Sequence, residues 1–278
     1  MPALPRDFTF GVSPAFVFSR HTTAFTPADF VASIAAARDL GFEAFEPEIF
    51  LPETLGDWVG GGAQTVAAAG LDQGMVVSQF VAHFLLDNFG SIGRLTSDAD
   101  TDDLSRALEA ASAFACPVFT GPQAPYRAAD GESHSDAWSR VVAKIARYKE
   151  AAEAAGFRLA LEVLNGSLVA NSDGFLRLAN ELGDDRLGIN LDTGHAWAAK
   201  ENMPLLPSKL GSHLVGLHLK DNDGNTNLPL APGKGTIPWS AFLTALADSG
   251  YAGTLDVEIA CAAEQVDQEY AFGLAHLK

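Results

Sequence analysis

The sequence is poor in cysteine and has no long apolar run. Its two cysteines, Cys116 and Cys261, form neither a CxxC motif nor a paired zinc spacing, so we expect packing thiols rather than a disulfide framework or a zinc cluster. No run approaches the roughly 18 consecutive apolar residues that a membrane span needs, and the first seven residues lack the basic and apolar regions of a secretory signal. These absences predict a cytoplasmic protein with no membrane partner.

Basic residues are also scarce. Lysine and arginine total 18 against 35 aspartate and glutamate residues, which gives a formal net charge of −17. A surface this acidic repels a phosphate backbone, so we expect no nucleic-acid partner. Hydrophobic residues make up 47% of the chain and charged residues 19%. That balance is typical of a globular chain that buries a substantial core without disulfides.

Apolar, β-rich runs alternate with runs of helical periodicity along the whole chain. The first predicted helix has Thr26 as its N-cap, Pro27 at its first position and Gly41 after its end. No strand is followed by a GxGxxG dinucleotide-binding motif. The pattern therefore predicts an α/β fold, a single (β/α)8 TIM barrel domain over residues 1–278. Its strands are predicted at 8–12, 42–47, 75–81, 116–120, 158–164, 186–192, 214–220 and 253–260.

Four of these strands carry polar residues where a parallel barrel normally has apolar ones. In the fifth to eighth strands, aliphatic residues alternate with small or polar residues. Because side chains alternate between the two faces of a strand, the polar set is expected to line the barrel interior. Glu162, Asp192, His218 and Glu258 lie at or near the carboxyl ends of these strands, which is where barrel active sites form.

Three carboxylates and an imidazole cannot be buried together unpaired, because desolvating like charges costs several kcal/mol. One interpretation is that each is a satisfied polar group of the barrel core. The favoured interpretation is a divalent cation held by Glu162, Asp192, His218 and Glu258. Oxygen-rich ligands with one nitrogen favour a hard ion, so we expect Mn²⁺ first, and leave Mg²⁺, Co²⁺, Fe²⁺ and Zn²⁺ open.

Four motifs around these residues resemble the xylose isomerase-like barrel superfamily, in particular its sugar isomerase and epimerase branch. They are Leu161-Glu162, Asn190-Leu-Asp192-Thr-Gly-His195, His218-Leu-Lys220-Asp221 and Asp256-Val-Glu258. The resemblance implies a metal bound by the four predicted ligands and a sugar or keto-sugar substrate. It also implies catalysis through an enediolate, with Glu162 and Glu258 exchanging protons with the substrate.

The resemblance further implies that His195 lies close to the substrate or the metal. Lys220, on the same strand face as His218, and His83, at the end of the third strand, are further candidates for substrate binding. Trp197, Trp239 and Glu46 are weaker candidates for the pocket wall, since charged strand ends and aromatics at helix starts are more often structural. Asp256 is expected to lie lower in the barrel as a hydrogen-bonded support, not as a ligand. Ketose 3-epimerases of this family place an arginine six residues after the metal-binding histidine. The corresponding residue here is Gly224, which argues against a close match to that activity.

Several functions stay open after the resemblance is taken into account. The same site could serve a keto-sugar or polyol dehydratase or an eliminating lyase. An apurinic-site endonuclease is opposed by the net charge and by the lack of an Asp-x-His pair between residues 221 and 235. A non-catalytic sugar-binding subunit is a third alternative. Lys220, Lys234 and Arg20 form no clear phosphate clamp, so a free sugar or its oxidised derivative is preferred. A homo-oligomer or a place in a larger complex stays open.

Overall fold

The computed structural model describes residues 8–183 and 185–278, and within them one sheet holds ten short strands whose pairings are all parallel. The strands are β1 (Phe10–Val12), β2 (Ala44–Phe45), β3 (Glu48–Ile49), β4 (Val76–Val77), β5 (Phe80–Ala82), β6 (Val118–Pro122), β7 (Arg158–Glu162), β8 (Gly188–Asp192), β9 (Leu214–Leu219) and β10 (Leu255–Val257). Their order in the sheet is β3-β5-β6-β7-β8-β9-β10-β1-β2-β4.

The α-helices between the strands form the outer layer. They are α1 (Ala15–His21), α2 (Pro27–Asp39), α3 (Leu55–Asp57), α4 (Ala63–Asp72), α5 (Ile92–Leu95), α6 (Thr101–Ala111), α7 (His134–Ala154), α8 (Ser172–Leu182), α9 (Thr193–Ala198), α10 (Leu206–Leu210), α11 (Trp239–Asp248) and α12 (Val266–Leu277). Within the described ranges, none of the helices combines the length and the apolar character needed to cross a membrane.

The barrel has eight strand positions, or staves, and two of them are each divided into two short strands. Glu46 and Pro47 separate β2 from β3, and Ser78 and Gln79 separate β4 from β5. β2 pairs with β4 while β3 pairs with β5, so the two ends of the sheet meet. The predicted TIM barrel is confirmed. The predicted second strand, 42–47, was wrong at its end, because proline lacks the N–H needed for regular pairing and the strand resumes only at Glu48.

Aliphatic and polar residues alternate along strands β7 to β10, and the two sets pack on opposite faces of the sheet, as predicted. Leu159 and Leu161 of β7 and Leu217 and Leu219 of β9 are buried in the hydrophobic core. Each such leucine contributes about 1.5–3 kcal/mol when it leaves water. The polar residues of the same strands are buried as well, at 8% exposure or less, and they turn towards the barrel interior: Glu162, Asn190, Asp192, His218 and Asp256.

Helix α2 begins and ends as its sequence predicts. The side chain of Thr26 accepts a hydrogen bond from the backbone N–H of Asp29, and Asp29 in return accepts one from the backbone N–H of Thr26 at 2.8 Å. This reciprocal capping box satisfies two donors that the first helical turn leaves free. Gly41, directly after the helix, has a φ of +92°, a conformation that glycine adopts without steric cost.

The long segment after β9 is held by a single buried carboxylate. Asp221 accepts hydrogen bonds from the backbone N–H groups of Gly233 and Ile237 at 2.9 and 3.1 Å and from the indole N–H of Trp239 at 2.8 Å. The indole of Trp197 donates to the Thr236 hydroxyl at 2.9 Å. Both tryptophans therefore support this segment.

Candidate metal centre and active site

The structure brings the four predicted ligands together at the carboxyl end of the barrel. Glu162 ends β7, Asp192 ends β8, His218 lies in β9, and Glu258 directly follows β10. One ligand atom from each residue can be chosen so that all four atoms lie within 4.8 Å of one another. The four residues come from four consecutive strand positions of the barrel, so the closure of the barrel and the register of its strands bring their side chains to one end.

His218 is the centre of this cluster. Its Nδ1 lies 3.0 Å from Glu162 Oε1 and 3.1 Å from Glu258 Oε2. Its Nε2 lies 3.0 Å from both carboxylate oxygens of Glu46. Burial alone lowers the pKa of His218, but the three surrounding carboxylates outweigh burial and hold that pKa well above its usual range.

The donor set fits a divalent cation better than it fits a proton. A single ring nitrogen carries either one hydrogen or one lone pair, so Nδ1 cannot satisfy both Glu162 and Glu258. A cation bonded at about 2.0–2.6 Å keeps its ligand atoms within about 4–5 Å of one another, as they are here. If Nε2–H donates to Glu46, the lone pair on Nδ1 faces the carboxylates, which is the tautomer that a metal requires.

Asp192 connects the cluster to helix α9 and to the buried ammonium of Lys220. Its Oδ1 accepts a hydrogen bond from the backbone N–H of His195 at 3.0 Å and so caps α9. Its Oδ2 lies 2.6 Å from Nζ of Lys220, which lies 3.5 Å from Glu258 Oε2. Burial opposes ionisation of Glu258, but Lys220 and His218 outweigh it and hold the pKa of Glu258 well below its usual range.

A cavity of about 230 Å³ opens above the cluster. Pockets for drug-sized ligands are about 300–1,000 Å³, so this one suits a smaller molecule. Glu162, His218 and Glu258 line it on one side. Its apolar wall includes Phe18, Phe50, Leu86 and Leu164.

The three predicted substrate-binding residues also line this cavity: His195, Lys220 and His83. The ring of His83 meets the edge of Phe50, with a centroid separation of 4.0 Å, and burial lowers the pKa of His83. Nε2 of His195 lies 3.0 Å from Nδ2 of Asn227. Trp197 and Trp239 are not among the lining residues, in line with their structural contacts.

Asp256 lies deeper in the barrel, away from the cavity. It is fully buried, and its Oδ2 accepts a hydrogen bond from the Thr254 hydroxyl at 2.8 Å. Burial, reinforced by Glu46, raises the pKa of Asp256 to about 8. Asp256 is the register partner of His218 in the pairing of β10 with β9, and its carboxyl group accepts a hydrogen bond from Thr254, so it supports the barrel interior beside the cluster.

Sequence reasoning missed two glutamates of the site. Glu46 was interpreted as structural, yet its carboxylate contacts His218. Glu48 was not singled out, and it lines the cavity. The only signal was the Glu46-Pro47-Glu48 triplet at the end of a strand, which places two acids on either side of a strand break.

Comparison with known proteins assigns the family. Residues 34–278 match the model of the xylose isomerase-like TIM barrel family, and the chain belongs to that family. Over 123 residues, 43% of this chain and 39% of the relative, it is 31% identical to D-psicose 3-epimerase of Enterocloster bolteae. Over 125 residues, 44% of this chain and 46% of the relative, it is 29% identical to fructoselysine 3-epimerase of Escherichia coli O157:H7. The matches thus span less than half of these relatives.

Solved structures agree on the fold over nearly the whole chain. The apo structure of 3-keto-D-glucoside 4-epimerase from E. coli superposes with a TM-score of 0.73, covering 98% of this chain and 99% of that one at 20% identity. The IOLI protein with a bound zinc atom gives a TM-score of 0.73 at 16% identity, covering 97% of both chains. At these identities the similarity establishes the shared barrel.

Proposed function

We propose that this chain is a divalent-metal-dependent epimerase or isomerase of a sugar or keto-sugar. The observation that carries the proposal is the pair Glu162 and Glu258, which approach the same Nδ1 of His218 at 3.0 and 3.1 Å. The names of the related sugar epimerases support the substrate class. Metal ligands would be Glu162, Asp192, His218 and Glu258, with Mn²⁺ the expected ion for this oxygen-rich set.

The two glutamates come from different sides of the barrel mouth. β8 and β9 lie between β7, which carries Glu162, and β10, which precedes Glu258. A substrate carbon between the two side chains can lose a proton to one glutamate in its carboxylate form and gain a proton on the opposite face from the other in its carboxylic acid form, which inverts that carbon through an enediolate. The bound cation would supply a Lewis acid that stabilises the negative charge developing on the sugar oxygens.

Lys220 completes the proposed chemistry. The residue is 6% exposed, and Asp192 and Glu258 outweigh burial and keep the pKa of its ammonium above the usual range, so the ammonium stays positively charged. A fixed positive charge at the cavity wall stabilises negative charge on a substrate oxygen without reorganising. Epimerisation or isomerisation is the proposal because the two glutamates that approach Nδ1 of His218 can act on the two faces of one substrate carbon.

The proposal does not extend to a ketose 3-epimerase in particular. Gly224, the position six residues after His218, has a φ of +78°. A Cβ there would approach Nε1 of Trp197 to 3.0 Å. This position offers no side chain to a substrate and is strained for any other residue. The substrate therefore has to be held by other residues of the cavity.

Proton exchange in D₂O tests the proposal. Protein purified without chelator is analysed for metal by inductively coupled plasma mass spectrometry, loaded with Mn²⁺, and mixed with D-psicose, D-fructose, L-ribulose or a 3-keto-D-glucoside. We expect about one metal ion per chain, deuterium at a carbon beside the carbonyl, and formation of the epimer or isomer. Two or three Zn²⁺ ions per chain without exchange would instead favour phosphodiester hydrolysis.

Two variants separate the roles of the glutamates. At saturating metal, with metal content checked, Glu162→Gln and Glu258→Gln should both lose epimerisation. Each should still exchange the proton of one epimer, and the two variants should act on opposite epimers, because each retains the base on one face. Wild-type epimerisation by either metal-loaded variant would contradict the proposed proton transfers. The matched control is Glu43→Gln, which changes an exposed glutamate of the same barrel.

A further inference from the structure

Glu48 is a buried acid in the substrate cavity that the proposed chemistry does not use. It lies in β3, is 5% exposed and lines the cavity wall. Within the described ranges, its Oε2 has no hydrogen-bond partner. Burial, reinforced by Glu46 and Glu162, raises the pKa of Glu48 well above its usual range. Burying a polar group without a partner costs free energy, so the fold gains nothing from this carboxyl.

A second unpaired polar atom lies on the neighbouring stave. Nδ1 of His83 is buried and has no hydrogen-bond partner within residues 8–183 and 185–278. β3 pairs with β5, with Glu48 opposite Val81 and Ile49 opposite Ala82, and His83 directly follows β5. Glu48 and His83 therefore stand on adjacent staves, and both line the cavity.

This pair lies across the barrel from the metal cluster. The β2–β3 and β4–β5 pairs each count as one stave. The stave that carries Glu48 then lies opposite β8, which carries Asp192, and the stave that precedes His83 lies opposite β9, which carries His218. A substrate whose carbonyl end reaches the cluster therefore extends its other end towards Glu48 and His83. The hydroxyl groups of a sugar both donate and accept hydrogen bonds, which is what an unpaired carboxyl and an unpaired imidazole nitrogen require.

We propose that Glu48, together with His83, forms a hydroxyl-binding subsite that makes the cavity specific for an uncharged sugar. The inference rests on the function proposed above. A phosphate or carboxylate at that end of the substrate would lie beside Glu48 and within a site that already contains Glu46, Glu162, Asp192 and Glu258. Its raised pKa keeps the Glu48 carboxyl protonated, which suits a hydroxyl group, and the ionised carboxylates of Glu162 and Glu258 disfavour a negatively charged group close to them.

Binding to the metal-loaded protein tests this subsite. Isothermal titration calorimetry with D-psicose as the neutral probe and D-fructose 6-phosphate as the anionic probe is carried out on wild type, Glu48→Gln, Glu48→Ala and the control Glu43→Gln. We expect Glu48→Ala to bind D-psicose at least tenfold more weakly and Glu48→Gln to stay within about threefold. Glu48→Ala should narrow the preference for the neutral over the anionic probe by about tenfold, because it removes the partner of the substrate hydroxyl, whereas Glu48→Gln and Glu43→Gln should leave that preference within about threefold of wild type.

Thermal stability distinguishes a binding role from a structural one. Removing an unpaired buried carboxyl should leave the Tm of Glu48→Gln equal to or above that of wild type. A lower Tm together with unchanged affinity and unchanged preference between the probes would make Glu48 a structural residue and overturn the proposal.

The outcomes also separate this proposal from the proposed function. Wild-type protein that binds D-psicose without exchanging its protons contradicts the function but leaves the subsite supported if Glu48→Ala weakens binding. Wild-type protein that epimerises its substrate, with KM and probe preference unaltered in Glu48→Ala, overturns the subsite alone. If the metal-loaded wild type binds neither probe and none of the sugars tested for proton exchange, both proposals are overturned.

Discussion

Nε2 of His218 lies 3.0 Å from both carboxylate oxygens of Glu46, although 172 residues separate the two in the chain. Glu46 is fully buried, and burial raises its pKa despite the opposing effect of His218. The contact fixes the orientation of the imidazole and directs Nδ1 towards Glu162 and Glu258. Glu46 thus acts on the candidate metal centre through His218 and is a positioning residue.

Removing that contact should weaken metal binding. Outer partners of metal-binding histidines are typically worth about 10–100-fold in metal affinity, so we expect Glu46→Ala to raise the Kd for Mn²⁺ by that factor. Glu46→Gln, which still offers an oxygen to Nε2–H, should show a smaller effect. Competition with a chromogenic chelator measures the Kd, with Glu43→Gln as control. Wild-type affinity in a folded Glu46→Ala variant would contradict the positioning role.

Lys220 should affect catalysis without being needed for the metal. Its ammonium lies 2.6 Å from Asp192 Oδ2, so Lys220→Met removes a positive charge that competes with a cation for that carboxylate. We expect metal content of about one per chain, a Kd equal to or lower than that of wild type, and a loss of about 10²-fold or more in the C–H exchange rate. Lys234→Met, at a partly exposed lysine that pairs with Glu269, is the control. Loss of the metal in Lys220→Met would contradict this role.

The candidate ligands were predictable because each lies in, or directly after, a strand in which aliphatic and polar residues alternate with a period of two. Glu162, Asp192 and His218 interrupt aliphatic strands at positions whose side chains turn inward, and that pattern is local in sequence. The chain order of the strands then predicts the cluster, since consecutive parallel staves place their carboxyl ends side by side. For these residues a local pattern and one topological rule were sufficient.

Glu46 and Glu48 escaped prediction because they lie at a strand break. Pro47 interrupts the alternation, and the direction of each side chain there depends on which neighbour the strand pairs with after the break. That pairing is a tertiary property. The structural role of Trp239 also depends on tertiary structure. The acceptor of its indole N–H is Asp221, 18 residues earlier in the chain, and the spacing of the two residues does not indicate this contact.

Gly11 should be intolerant of a side chain. In β1, a Cβ at this position would overlap Oδ1 of Asp256 and lie 2.9 Å from Cβ of Ala44. Both neighbours belong to strands paired with β1, so they cannot move freely. We expect Gly11→Ala to lower the free energy of unfolding by about 1–3 kcal/mol, as measured by urea denaturation. Gly56→Ala is the control, because a Cβ there meets nothing within 4 Å; equal stability of the two variants would contradict the packing.

The capping box of α2 predicts how stability depends on pH. The backbone N–H of Thr26, which donates to the carboxylate of Asp29, lowers the pKa of Asp29 from its usual value of 3.8. The unfolded chain therefore takes up this proton at a higher pH than the folded chain does. The stability that ionised Asp29 contributes is complete above its unfolded pKa and is lost as pH falls through the lowered folded pKa.

Asp29→Asn should accordingly be less stable than wild type at pH 7, with the difference beginning to shrink towards pH 3, because the unfolded chain takes up the Asp29 proton below its usual pKa of 3.8. Urea denaturation at pH 7, 5 and 3 measures the difference. Thr26→Ala removes the other half of the box and should cost about 0.5–2 kcal/mol. Asp39→Asn removes a negative charge from the last residue of the same helix, where the helix dipole disfavours it, so it should not destabilise. A difference between Asp29→Asn and wild type that stays constant from pH 7 to pH 3 would show that the ionised carboxylate is not what caps α2.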